Sequence, residues 1–290
     1  MKAVVVGAGA WGTAFAEVLR GRGHDVSVAG RGELDSAPYE SAELVVIAVP
    51  SLAFGEVLGR IRGTAPILSL VKGLDPASGR RLSTLVDDRP VAVLSGPNMA
   101  EEVLQGLPGA TVIASEDEEL AFWLQEAINS SIFRVYVNSD VLGVELCGAA
   151  KNVIALAAGG VDGLGLGDNA KAALITRGLV EMARLGEAFG ADLETFAGLA
   201  GMGDLMVTCF HASGRNRRAG ELIARGATPD EARAEIGQVV EGLTTAPVLR
   251  DLSRRIGVEL PITEAVCSVL EGTSLHELAA GLMGRRPTEE

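Results

Sequence analysis

The stretch Gly7-Ala-Gly-Ala-Trp-Gly12 constrains this chain more than any other. It follows the apolar run Lys2–Val6 and opens a segment, Trp11–Arg20, with apolar residues at helical spacing. Glycines between a strand and a helix allow a tight reversal, close approach of a ligand to the backbone, and close packing of helix on strand. The helix N-terminus then offers free N–H groups and the positive end of its dipole to an anion. At the head of an α/β unit this reads as a dinucleotide site, with Gly7, Gly9 and Gly12 around the pyrophosphate. A tight βα turn with no ligand is the plainer alternative.

Up to about Asn138 the chain alternates short Val- and Ile-rich runs with helical segments. Strands are expected at Lys2–Val6, Asp25–Ala29, Leu44–Val49, Pro66–Leu70, Val91–Leu94, Ala110–Ala114 and Phe133–Val137. Most are continuously apolar, as strands covered on both faces are. The fold class is therefore α/β: an N-terminal Rossmann-like doubly wound domain over residues 1–138, followed by an all-α domain over 139–290. In the second part Asp140 is the expected N-cap of a helix, and further helices are expected at Asp168–Phe189, Arg217–Ala224, Pro229–Ile236, Thr244–Ile256 and Pro261–Leu270. No Pro-, Ser- or Gly-rich linker separates the parts, so they should pack around a shared cleft. Residues Arg285–Glu290 read as a frayed end.

A net charge of −13, from 25 basic and 38 acidic residues, argues against nucleic-acid binding, which needs a basic face. It leaves room for a small phosphate held by a few local cations. Three cysteines and three histidines are scattered without metal-ligand spacing. No metal site is expected, and unpaired thiols suit a reducing, cytoplasmic setting. The start of the chain lacks the features of a signal peptide, and no uninterrupted apolar run reaches the roughly 18 residues of a membrane span. A homodimer is left open.

The second strand ends Val26-Ser-Val-Ala-Gly-Arg31. An acid at this point usually binds the ribose 2′-OH of NAD(H), and an arginine accommodates a 2′-phosphate. With Arg31 there and Glu33 two residues late, NADP(H) is favoured over NAD(H), against the reading of Arg31 as a surface charge. Lys72 stands at a strand exit, where open α/β sheets bind ligands, although surface lysines are also common there. Leu94-Ser-Gly96-Pro-Asn98-Met-Ala100 passes from strand to helix and could line the nicotinamide or the substrate through its backbone.

In the second half, Lys151 and Asn152 lie mid-run in an apolar helix, with no acid at i+3 or i+4 to pair with the lysine. Lys151 either snorkels to solvent or serves a site that needs positive charge. The stretch from Gly201 through Asp204, Thr208 and Gly214 to Arg215, Asn216 and Arg218 joins a glycine-rich entry to a basic helix start. That combination suits a polyhydroxy phosphate, with Arg215 as a bidentate anchor and Arg217 and Arg218 as solvated charges. Val239-Val-Glu241 is a short polar turn, after which Thr244 reads equally well as an N-cap.

Together these segments resemble the bacterial-type NAD(P)-dependent glycerol-3-phosphate dehydrogenases. The matching pieces are GAGAWGTAFA, VKGL, SGPNMAEEV, ELCGAAKNVIALAAGG, GLGLGDNAKAALITRGLVEM, GMGDLMVTC, GRNRRAG and VEGLTTA, in family order over nearly the whole chain. The resemblance implies reversible reduction of dihydroxyacetone phosphate to sn-glycerol 3-phosphate, the step that feeds phospholipid synthesis, with Lys151 as acid/base at the C2 oxygen. It implies substrate contacts from Lys72, Gly96, Asn98, Lys151, Asn152, Asp204, Thr208, Gly214, Arg215 and Asn216. It implies cofactor contacts from Gly7, Gly9, Ala10, Trp11, Gly12, Arg31, Lys72, Ala100, Arg215, Val239 and Glu241.

The chain departs from the family in three places. The connection over residues 32–43 is short, which leaves the adenosine side more open. Gly214, with Ser213 one residue earlier, stands where the family commonly has Ser. Ala10 replaces a frequent Ser. Two other readings stay in view: a dehydrogenase of the β-hydroxyacid or ketopantoate type, and an inactive NADP(H)-binding regulator. Both have the same two-part design, but a carboxylate substrate explains the Gly-Arg-Asn-Arg-Arg stretch less well, and a regulator has no need of Lys151, Asp204 and Arg215 together.

Overall fold

The computed structural model describes residues 1–275 and Glu277, so the reading of Arg285–Glu290 as a frayed end lies outside the described residues. Seven strands form one sheet: β1 (Lys2–Val6), β2 (Asp25–Ala29), β3 (Leu44–Ile47), β4 (Ile67–Ser69), β5 (Val91–Ser95), β6 (Gly109–Ala114) and β7 (Phe133–Asn138). Their order is β2-β1-β3-β4-β5-β6-β7. Because β2 lies on one side of β1 and β3 on the other, the chain reverses direction across the sheet at β1 and β3. That switch point opens a crevice at the carboxyl ends of these strands.

Each face of the sheet is covered. One carries Phe15 and Leu19 of α1 (Ala10–Gly21) with Leu120, Leu124 and Ile128 of α4 (Glu118–Ile128). The other carries Tyr39, Phe54 and Val57 of α2 (Phe54–Leu58), and Leu82. Burial from both sides is why the strands read as unbroken apolar runs rather than alternating ones.

One pairing differs from a uniformly parallel sheet: β6 runs antiparallel to β5. Between them the chain forms only α3 (Ala100–Leu104), a helix of five residues. At about 1.5 Å per residue this is too short to carry the chain to the far end of the sheet, so it returns beside the strand it left.

Beyond β7 all regular structure among the described residues is helical. The helix α5 (Val141–Gly163) starts at Asp140, whose Oδ1 accepts from Gly143 N at 2.8 Å as expected of an N-cap. Its Oδ2 accepts from Thr195 Oγ1 at 2.7 Å and so also fixes the following α7 (Leu193–Ala197). By length and hydropathy α5 could cross a membrane, but 89% of its apolar window is buried inside the protein, as befits the central core helix of this half. Around it pack α6 (Gly167–Phe189), α8 (Asp204–Phe210), α9 (Arg215–Ala224) and α11 (Glu241–Ile256). Among the described residues of this half the remaining helices are α10 (Pro229–Ile236) and α12 (Pro261–Leu270).

The short α7, α8 and the π-turn Leu199–Gly203 were not expected, because the Gly-Met-Gly entry to α8 reads as loop. Two starts also differ from expectation by two residues or more, while α6 begins one residue early, at Gly167. The helix α9 begins at Arg215 rather than Arg217. The helix α11 begins at Glu241, so Thr244 lies within it and is not its N-cap. The α11 start is capped from outside: Gly242 N donates to Asn216 Oδ1 at 2.8 Å.

The tightest helix contact is α5 against α9. A methyl group at Gly220 would run into the Leu156 carbonyl oxygen, and one at Gly159 into the Arg217 carbonyl. Gly220→Ala should therefore cost about 2 kcal/mol or more, an overpacking cost. Gly21→Ala, at an α1 position with open space around it, should change stability by less than about 1 kcal/mol. Urea denaturation of both variants tests this, and equal midpoints would contradict it.

Candidate functional site

Three charged side chains from different parts of the chain meet at the cleft. Lys72 follows β4, Lys151 lies midway along α5, and Asp204 is the first residue of α8. Asp204 is 1% exposed and Lys151 5%. Asp204 Oδ1 accepts from Lys151 Nζ at 2.6 Å, and Oδ2 accepts from Lys72 Nζ at 2.6 Å. Lys151 Nζ also donates to Thr208 Oγ1 at 2.7 Å, one turn along α8, and Thr208 Oγ1 in turn donates to the Asp204 backbone carbonyl at 2.6 Å. Lys72 Nζ reaches the Gly96 carbonyl at 3.1 Å. Lys151 does not snorkel, and its acidic partner lies 53 residues away rather than one helical turn away.

Burial is the largest influence on Lys151 and lowers its pKa; Asp204 pulls it up, the neighbouring Lys72 pushes it down, and the balance is drawn down to about 8. For Asp204 burial alone would favour the neutral acid, but the two ammonium groups more than offset it and hold the carboxyl below its ordinary value. With both lysines protonated this buried cluster carries a net positive charge, aimed at whatever occupies the cleft.

Asn152 and Asn216 form the floor beside this cluster. Asn152 Nδ2 donates to the carbonyls of Lys72 at 3.0 Å and Gly148 at 3.2 Å, while its Oδ1 accepts from Asn216 Nδ2 at 2.9 Å. These amides tie the Lys72 turn, α5, α9 and α11 together. Asn98 Nδ2 donates to Thr111 Oγ1 at 2.9 Å, and its buried Oδ1 has no protein partner among the described residues. Ser95 was not singled out from the sequence, yet its Oγ donates to Asp204 Oδ2 at 3.3 Å. Its place at the head of the Ser-Gly-Pro-Asn turn, on the ligand side of the sheet, was the available signal.

Arg215, at the first position of α9, is not hydrogen-bonded to this cluster; it is exposed, and its Nη1 donates to the Val239 carbonyl at 3.0 Å. Gly214 is the N-cap of α9 and has no side chain to cap with. Ser213 turns instead to Glu101 at the start of α3, 3.3 Å away. Arg218 is exposed as expected, with Glu235 3.8 Å away. Arg217 is not the solvated charge expected of it: its side chain is 14% exposed and its Nη1 meets Asp162 Oδ2 at 2.6 Å.

The glycine-rich turn has the form of an anion cradle. A Cβ on Gly7 would strike the Ala48 carbonyl and one on Gly12 the Gly7 carbonyl, whereas Gly9 faces open space. Gly9 is the N-cap of α1, with no side-chain cap and no acid in the first turn. Helix N–H groups beside an open glycine are what a pyrophosphate needs. Trp11 packs at a tilt on Phe15, centroids 5.9 Å apart, and its buried Nε1 lacks a partner among the described residues.

At the end of β2, Arg31 is exposed and opens a 3-10 turn, while the Glu33 carboxylate turns back to accept from Gly30 N at 2.9 Å. Ala100 begins α3. Glu241 accepts from Ser51 N at 3.0 Å and Ser51 Oγ at 2.6 Å, which clasps α11 to the turn after β3; Ser51 was also not foreseen as part of this region. No group of metal-ligating side chains occurs among the described residues.

Comparison with known proteins sets these features in a family. Residues 140–279 match the profile described as NAD-dependent glycerol-3-phosphate dehydrogenase C-terminus, and residues 33–121 match the corresponding N-terminus. Glycerol-3-phosphate dehydrogenase (NAD(P)+) of Macrococcus caseolyticus is 39% identical over 99% of this chain and 98% of its own length. The enzyme of the same name from Bacillus cereus strain AH187 is 43% identical over 98% of this chain and 96% of its own length. Both alignments run over 327 positions, more than the 290 residues of this chain, so these relatives carry residues that it lacks. The crystal structure of glycerol-3-phosphate dehydrogenase from Coxiella burnetii superimposes with a TM-score of 0.92 at 37% identity, covering 98% of this chain and 99% of that one. On its buried Lys–Asp–Lys cluster, its fold and its full-length similarity, this chain belongs to the NAD(P)-dependent glycerol-3-phosphate dehydrogenase family.

Proposed function

We propose that the chain reduces dihydroxyacetone phosphate reversibly to sn-glycerol 3-phosphate with NAD(P)H. The observation that carries this reading is Lys151: a buried ammonium with a lowered pKa, fixed by Asp204 and Thr208 at the head of α8. Of its three N–H donors the protein takes two, so one is left for the C2 oxygen of the substrate.

The nicotinamide, when bound, supplies the hydride. As negative charge develops on the C2 oxygen, Lys151 stabilises it and delivers the proton, most effectively because the surroundings are poorly solvated. Asp204 fixes the lysine rotamer without cancelling the charge, since Lys72 answers it on its other oxygen. Arg215 and the N-terminus of α9 would take the phosphate, and Lys72, Asn98, the Gly96 backbone, Thr208 and Asn216 would line the glycerol moiety. Binding energy from the phosphate would hold C2 in place for the reaction.

The glycine turn over Gly7–Gly12 would hold the pyrophosphate, with Ala100, Val239 and Glu241 bordering the remainder. NADP(H) is favoured over NAD(H), because Arg31 is exposed just past the end of β2 with no partner among the described residues, and the nearest acid in sequence, Glu33, is engaged by the Gly30 N–H. The three free, buried cysteines suit a reducing cytoplasm.

Mixing the protein with dihydroxyacetone phosphate and either NADPH or NADH should consume the reduced cofactor, while ketopantoate should not. Consumption with ketopantoate alone, or with neither substrate, would overturn the reading. Lys151→Ala should lose turnover by at least about a thousandfold with cofactor affinity within about threefold of the parent. Activity within a few-fold of the parent would remove Lys151 from the chemistry. Arg31→Ala should raise KM for NADPH about tenfold and leave KM for NADH within about twofold. Equal effects on the two cofactors would refute the assignment of Arg31.

A further inference from the structure

Away from the reacting centre, one carboxylate gathers two cations. Asp162, in the last turn of α5, accepts on Oδ2 from Lys171 Nζ of α6 at 2.8 Å and from Arg217 Nη1 of α9 at 2.6 Å. Lys171 is 6% exposed, and its ammonium lies 4.8 Å from the centroid of Phe210, the last residue of α8. Arg217 spends its other donors on the turn before α9: Nε reaches the His211 carbonyl at 3.2 Å and Nη2 the Ala212 carbonyl at 2.9 Å. Glu221 Oε2 lies 3.3 Å from Arg217 Nη1 and closes the network from α9 itself.

The segment held in this way is the one with the most at stake. It starts with Asp204 and Thr208 on α8, passes Phe210 and the turn over residues 211–214, and ends with Arg215 and Asn216 on α9. Both of these anchors, Lys171 over Phe210 and Arg217 on the turn carbonyls, lead back to the single carboxylate of Asp162. We propose that Asp162, acting through Lys171 and Arg217, is a positioning residue that sets where the N-terminus of α9 and Arg215 meet the substrate phosphate. It touches no substrate atom. Its influence is geometric, and small displacements of a phosphate clamp are costly to a bound substrate. The inference rests on the reading of this site as one for a glycerol phosphate.

The test uses the full chain and compares Asp162→Asn, Lys171→Met and Lys171→Arg with the parent. Activity of the parent on dihydroxyacetone phosphate is measured first, and its absence would overturn the functional reading rather than the positioning claim alone. Asp162→Asn and Lys171→Met should each raise KM for dihydroxyacetone phosphate about tenfold or more, with kcat and the cofactor KM within about threefold. Lys171→Arg should restore KM to within about threefold of the parent, since a guanidinium can reach the same carboxylate. Thermal stabilisation by glycerol 3-phosphate should shrink in the first two variants and persist in the third, a readout available even if a variant is less stable. An unchanged substrate KM in Asp162→Asn, or an equal loss of cofactor and substrate affinity, would overturn the positioning role.

Discussion

The carboxylate of Asp204 is the contact on which the rest of this structure depends. It is buried between two lysines that approach from different parts of the chain, Lys72 from the sheet and Lys151 from the central helix. Without it two ammonium groups would face each other in an apolar interior, and removal of one partner from a buried ionic group commonly costs about 3–5 kcal/mol. With it the cluster is stable and still carries a net positive charge. A buried ion pair alone would be neutral and would have little to offer a developing oxyanion. The second lysine makes the difference.

The same device recurs on a structural scale. Two carboxylates of the helical half, the buried Glu145 and the half-buried Glu241, receive N–H and O–H donors from an element of the sheet half. Glu145 on α5 takes Ser83 N at 2.9 Å and Arg81 Nη1 at 3.2 Å. Glu241 at the head of α11 takes the Ser51 backbone and hydroxyl. Each carboxylate caps the start of a 3-10 turn, Ser51–Ala53 or Leu82–Leu85, so a backbone N–H at the seam finds its acceptor across it. The helices themselves approach closely because glycines on α5 and α9 remove the side chains that would hold them apart. A cleft whose walls are fixed in this way can hold a lysine in one rotamer, as the proposed chemistry requires.

Much of this was legible in the residues. The apolar runs located all seven strands, because a sheet covered on both faces needs continuous apolar strands. Asp140 announced the start of α5 through cap chemistry, and the glycine-rich turn announced the cradle. Lys151 could be marked as anomalous, but its partner could not be found from spacing, because the pair forms between α5 and α8, 53 residues apart. The antiparallel β6 was hidden for a related reason: strand direction depends on the length of the preceding connection, and short helices such as α3 leave a weak periodic signal. Arg217 read as solvated because helical charges usually are, and its partner Asp162 lies on another helix. Glu33 follows Arg31 by two residues, and what spacing could not show is that the 3-10 turn ties its carboxylate to the Gly30 N–H.

The central claim is that Lys151 is the proton donor and that its burial beside Lys72 sets when it can act. The pH dependence of kcat in both directions tests this most directly. Reduction needs the protonated lysine, so its rate should fall as pH rises through about 8, where the Lys151 ammonium loses its proton. Oxidation of glycerol 3-phosphate needs the neutral amine and should rise through the same pH. Opposed profiles crossing near that value would support the account. Profiles flat from about pH 6.5 to 9.5 in both directions, or a reduction rate that climbs with pH, would contradict it.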